Sequence, residues 1–71
     1  KRKPLTTQEK QLYIIETLPG IGPTLAKSLL KEFKTIKNVI NAEEKDFQKI
    51  DKIGKIKAKE LKELFEEVFQ Q

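Results

Sequence analysis

Apolar residues recur at helical spacing along this chain, and no stretch alternates at period two for long enough to specify a strand. The firmest stripe is Leu25, Ala26, Leu29, Leu30 and Phe33, which line one side of a helix. Ahead of it, Leu12, Tyr13, Ile14 and Ile15 predict a first helix with a wide apolar face, running to about Glu16. Thr6 followed by Glu9 has the spacing of a capping box and places that helix's start near Thr7. Thr35 caps a short third helix carrying Ile36, Val39 and Ile40, and Asn41 with Glu44 marks a fourth that buries Phe47 and Ile50. A last helix, from about Ile56 to Phe69, has Leu61, Leu64, Phe65 and Val68 on one side. The predicted class is all-α, with five short helices.

The densest turn chemistry is Leu18-Pro19-Gly20-Ile21-Gly22-Pro23. Gly20 and Gly22 permit positive φ, and Pro23 suits a first helical position because its φ is fixed and its missing N–H is not needed there. Sliding the chain against itself by 32 positions lays this turn on Ile50-Asp51-Lys52-Ile53-Gly54, Ala26 on Ala58, Lys27 on Lys59 and Leu29 on Leu61. Each half then reads as a helix, a tight turn and a second helix. The first hairpin covers about 8–33, a connecting helix about 36–41 and the second hairpin about 43–69. Two such hairpins related by a pseudo-two-fold repeat can share one core. Residues 1–5 read as the end of a linker and 6–71 as one domain; a first residue of Lys1 rather than Met is expected of a piece of a longer chain.

Composition narrows the chemistry. At 71 residues the chain is about half a typical domain, and a chain this short buries only about 60% of its unfolded surface. There is no cysteine or histidine, which removes disulfides, thiolate zinc sites, Ser-His triads and Cys-His dyads. Self-association is the stabilising device that remains. No apolar run approaches the roughly 20 residues that a membrane span needs, so no membrane partner is expected; no small-molecule substrate is expected either, and the absence of cysteine suits a reducing interior. Glu43-Glu44 and Glu66-Glu67 are adjacent acids on exposed helix ends and carry no catalytic expectation.

Charge changes the picture by its distribution. The net charge is +4, but residues 17–40 carry +3, residues 49–62 carry +4 and the remainder −3. The positive charge therefore collects at the two hairpins, as a polyanion partner requires. A glycine-bearing turn feeding a helix leaves backbone N–H groups unpaired at the positive end of the helix dipole, where a phosphate oxygen is favoured. On this reading the first phosphate site is Gly20, Ile21, Gly22, Thr24 and Lys27, with the hydroxyl of Thr24 and the ammonium of Lys27 adding side-chain contacts. The second is Gly54 with Lys55, Ile56, Lys57 and Lys59. Lys52 stands where the first hairpin has Gly20, so either its turn is reshaped or Lys52 itself reaches for phosphate. Lys31 and Lys34 read as an ordinary solvated face, and Lys45 and Lys49 as partners of acids at i±4. Backbone contacts of this kind carry no sequence code, so binding is expected to be sequence-independent and salt-sensitive.

The pattern apolar-x-Gly-Ile-Gly-x-x-x-Ala-Lys-x-Leu over residues 18–29 resembles the helix-hairpin-helix motif, and its doubling resembles the tandem helix-hairpin-helix domain of the XPF/Mus81 family, most of all its archaeal helicase-nuclease branch of the Hef type. The resemblance runs from about Gln8 to Phe69. It implies a non-catalytic module of an intracellular, cytoplasmic or nucleoid-associated DNA-repair enzyme that binds branched or forked DNA and forms a homodimer. The implied dimer contacts are Leu61, Leu64, Phe65, Val68 and Phe69. It implies no cofactor in this domain; a parent nuclease would use Mg2+ and a helicase part ATP. A protein-interaction module that has lost DNA contact, and a UvrC-like tandem of an excision nuclease, are the alternatives.

Overall fold

The computed structural model describes residues 5–70; residues 1–4 of the linker end expected over 1–5 lie outside the described residues. Five helices follow in order: α1 (Thr7–Glu16), α2 (Pro23–Phe33), α3 (Ile36–Asn41), α4 (Glu44–Phe47) and α5 (Lys55–Glu66). The described residues contain no strand. α1 packs on α2 and α4 on α5, giving two hairpins, while α3 packs on α2 and leads into the second hairpin.

Local sequence explains where most helices begin. The Thr6 hydroxyl accepts the Glu9 N–H at 3.1 Å while the Glu9 carboxylate accepts the Thr6 N–H at 2.8 Å, which closes the expected capping box. The Thr35 hydroxyl accepts the Asn38 N–H at 3.0 Å and starts α3. For α4 the cap is Glu43 rather than Asn41: Asp46 accepts the Glu43 N–H at 3.1 Å, and Asn41 is still the last residue of α3. α2 ends where Lys34 turns to φ +76°, its N–H donating to Leu30 O at 2.8 Å, and the Asn38 amide caps the Phe33 carbonyl at 2.7 Å.

The core is built from repeat-related pairs. Ile21 and Ile53, Ala26 and Ala58, and Leu29 and Leu61 are all buried, each member 32 residues from its mate. Ile15 has Phe47 as its mate, and both are buried. Phe33 and Phe65, another such pair, flank Phe47 with ring centroids 5.7 and 6.2 Å away, in edge-to-face and tilted arrangements that suit the aromatic quadrupole. The fully buried alanines allow helix backbones to approach closely. Two expectations are corrected. Tyr13 and Ile14 do not join the apolar face of α1: they are 65% and 49% exposed, because a run of four apolar residues wraps past the stripe that Leu12 and Ile15 turn toward the core. α5 ends at Glu66 rather than Phe69, with Glu67 at ψ 135°. Its last turn has no cation to complement the negative end of the helix dipole, and Glu63, Glu66 and Glu67 oppose it.

Candidate functional site

The two hairpin turns have the same construction. In the first, the Ile21 N–H donates to Leu18 O at 3.1 Å, Gly20 has φ +75°, and extended Gly22 (φ −100°, ψ −173°) is the N-cap of α2. In the second, the Ile53 N–H donates to Ile50 O at 3.1 Å, Lys52 has φ +73°, and extended Gly54 (φ −91°, ψ −171°) is the N-cap of α5. The second turn is therefore not reshaped to accommodate lysine. Lys52 takes the left-handed conformation that Gly20 takes freely, at a cost of about 1–2 kcal/mol. Gly22, by contrast, does not use the positive φ open to glycine.

What Gly22 and Gly54 provide is space. Among the described residues, a Cβ at either position would meet no atom within 4 Å beyond its immediate chain neighbours, so each N-cap opens directly outward. Neither supplies a side chain to the helix it starts. The first intrahelical bonds reaching back to the caps are Ala26 N–H to Gly22 O at 2.9 Å and Ala58 N–H to Gly54 O at 3.0 Å. The amides before them have no intrahelical carbonyl by helix geometry: Thr24 and Leu25 in the first hairpin, and Lys55, Ile56 and Lys57 in the second. Pro23 has no N–H, so the first hairpin presents one fewer amide. Ile21, expected at the first phosphate site, has no donor to offer there: its N–H is taken by Leu18 O and its side chain lies in the core.

The cations sort into free and occupied. Lys62 is held inside the fold, its ammonium donating to Ala42 O at 2.7 Å and lying 3.3 Å from Glu66. Lys49 pairs with Asp46 at 3.6 Å, three residues away rather than four. No ion pair is formed by Lys27, Lys52, Lys55, Lys57 or Lys59 among the described residues. Lys27, Lys31 and Lys34 line one open groove of about 410 Å³ with Gln8, Gln11 and Leu12, so the lysines that read as a separate solvated face border the same hollow as Lys27. Lys57 borders the second hairpin's hollow, as expected, and also reaches the first hairpin. Its Cε would sit 3.2 Å from a Cβ on Gly20 and its Nζ 3.7 Å away, so this lysine of the second hairpin lies across the turn of the first. No linear pattern signals that contact, because 37 positions separate the two residues.

The residues expected at a dimer contact divide. Leu61 is 1% exposed and belongs to the core, so it has no surface to offer; Phe65 is half-buried against Phe47. Leu64, Val68 and Phe69 are exposed, the last two beyond the end of α5. Among the described residues, no three acidic side chains gather as a metal-ligand set, and no helix is long and apolar enough to cross a membrane.

Residues 13–67 match the family model described as a SAM-like helix-hairpin-helix tandem. The chain is 42% identical over 60 residues to a Methanocaldococcus jannaschii protein described as an ATP-dependent RNA helicase, covering 84% of this chain and 8% of that one. It is 41% identical over 49 residues to the 3′-flap repair endonuclease Xpf of Saccharolobus solfataricus, covering 69% of this chain and 21% of the relative. Among solved structures, XPF from Aeropyrum pernix superposes with a TM-score of 0.90 at 28% identity, over 99% of this chain and 33% of that one. The same protein in complex with DNA superposes with a TM-score of 0.87 at 28% identity, over 94% and 34%. The chain thus spans less than a quarter of either relative's length and about a third of the solved chains.

Proposed function

The chain belongs to the SAM-like helix-hairpin-helix tandem family, and from that premise we propose that it is a DNA-binding module that grips the phosphate backbone at its two hairpins. The observation that carries this reading is the pair of glycine N-caps, each opening an uncapped helix start to solvent with unpaired lysines beside it. A backbone amide can approach a phosphate oxygen there without a side chain intervening. Gly20, Gly22, Thr24 and Lys27 serve the first site; Lys52, Gly54, Lys55, Lys57 and Lys59 surround the second. The DNA complex of the Aeropyrum pernix relative supports DNA as the polyanion.

Two hairpins on one core suit the two strands of a duplex across a minor groove, and two associated copies would present two such pairs to branched or forked DNA, the substrate in this reading. The module acts inside a longer repair enzyme, and flap cleavage or ATP hydrolysis, with any Mg2+ or ATP, belongs to other parts of that enzyme. Self-association through Leu64, Val68 and Phe69 is supported by their exposure, and sedimentation equilibrium of wild type against Phe69→Ala tests it: a monomeric wild type at high concentration rules it out. The DNA reading is tested by titrating two duplexes of unrelated sequence at several salt concentrations. Equal affinities that fall steeply with salt are expected. Affinity indifferent to salt, or confined to one sequence, contradicts it.

A further inference from the structure

The two hairpins share their backbone but differ at the second helical position, where α2 carries Thr24 and α5 carries Ile56. Ile56 is 78% exposed, while the core beside it is completed by Ile53 and Ala58. It is not part of the core cluster of the described residues. It shares an open hollow with Lys52, Gly54, Lys55 and Lys57, and Glu60 closes one side. An isolated apolar side chain inside a ring of lysines fits a polyanion that has apolar surface within its charged envelope. In DNA that surface is the sugar edges and base stack of the minor groove, reached between the phosphates that the lysines hold.

We propose that Ile56 is a wedge which the second hairpin lodges against a base step, and that it makes the module prefer interrupted or branched DNA to continuous duplex. The inference rests on the phosphate-gripping reading above. Branched aliphatic side chains that enter a minor groove do so by partly unstacking a step, and that unstacking costs least where the stack is already broken, as at a fork, nick or gap. The first hairpin, with a small hydroxyl at the same position, holds backbone alone. Selectivity for DNA structure then resides in one hairpin and the general grip in both.

The test compares wild type with Ile56→Thr, which copies the first hairpin, and Ile56→Leu, on a forked duplex and a continuous duplex of the same sequence. Ile56→Thr is expected to lower the fork-to-duplex affinity ratio roughly fivefold, with the salt slope unchanged because no charge is altered. Ile56→Leu is expected to retain the ratio. Salt-sensitive binding with an unchanged fork-to-duplex ratio in Ile56→Thr overturns the wedge and leaves the phosphate grip standing. Wild type without salt-sensitive binding to either DNA overturns the grip itself, and the wedge with it.

Discussion

Gly20 and Lys52, 32 positions apart, hold the same left-handed backbone, at φ +75° and +73°. The repeat is thus preserved in conformation at a position where it is lost in residue type. Lysine keeps a strained backbone there and places an ammonium beside the second N-cap, the kind of local strain that collects at binding surfaces.

Lys52→Gly is therefore expected to stabilise the fold by about 0.5–1 kcal/mol, the relief of strain exceeding the added freedom of glycine in the unfolded chain. At this size the melting midpoint rises by roughly 2–8 °C. DNA affinity is expected to fall at low salt as one cation is lost. A variant no more stable than wild type shows that the strain at Lys52 does not exceed the entropy cost of glycine, about 0.5–1 kcal/mol.

The glycines of the first turn are expected to differ in what they tolerate. Gly20→Ala places a Cβ at positive φ and 3.2 Å from Lys57 Cε, and should cost about 1–2 kcal/mol. Gly22→Ala enters open space on extended backbone and should change stability by less than about 0.5 kcal/mol. Urea denaturation of both variants checks the contrast; equal losses refute it.

Lys57 lies over Gly20, so it is expected to act with the first hairpin rather than only with its own. Lys57→Met and Lys27→Met combined should lose less affinity than the sum of the single losses, since both serve one phosphate region. Lys55→Met with Lys27→Met should add. Additivity in both cycles confines Lys57 to the second hairpin.

Lys62 donates to the carbonyl of Ala42 at 2.7 Å and its side chain is 12% exposed, so Lys62→Met should leave that carbonyl short of its donor and destabilise the fold by about 1–2 kcal/mol. Its effect on DNA affinity, measured under conditions where the variant stays folded, should be small. A large loss of binding by a fully folded variant assigns Lys62 to the DNA surface.

Much of this architecture is written locally. The Thr6–Glu9 box, the Pro23 start and the 32-residue register need only neighbours a few residues apart or a repeat that can be aligned by eye, and the structure carries all three. What is not local was not legible. Tyr13 and Ile14 have the same hydropathy as core residues, and only the position of α2 decides that they face outward. Leu61 lies on the apolar side of α5, but spacing does not say whether that side meets the chain's own core or a second copy. Lys57 belongs by sequence to one hairpin and by geometry to both, since a long side chain reaches across a fold that sequence distance hides.

The central claim is that the glycine N-caps are where phosphate is held, and Gly22→Glu tests it most directly. The carboxylate would project into open space, so folding and self-association are expected to match wild type, while a negative charge would occupy the phosphate position. Fluorescence titration with forked DNA at two salt concentrations should show wild-type affinity falling steeply with salt, and at least a tenfold weaker complex, about 1.4 kcal/mol, for a fully folded Gly22→Glu. Equal affinities for the two folded proteins would contradict the account.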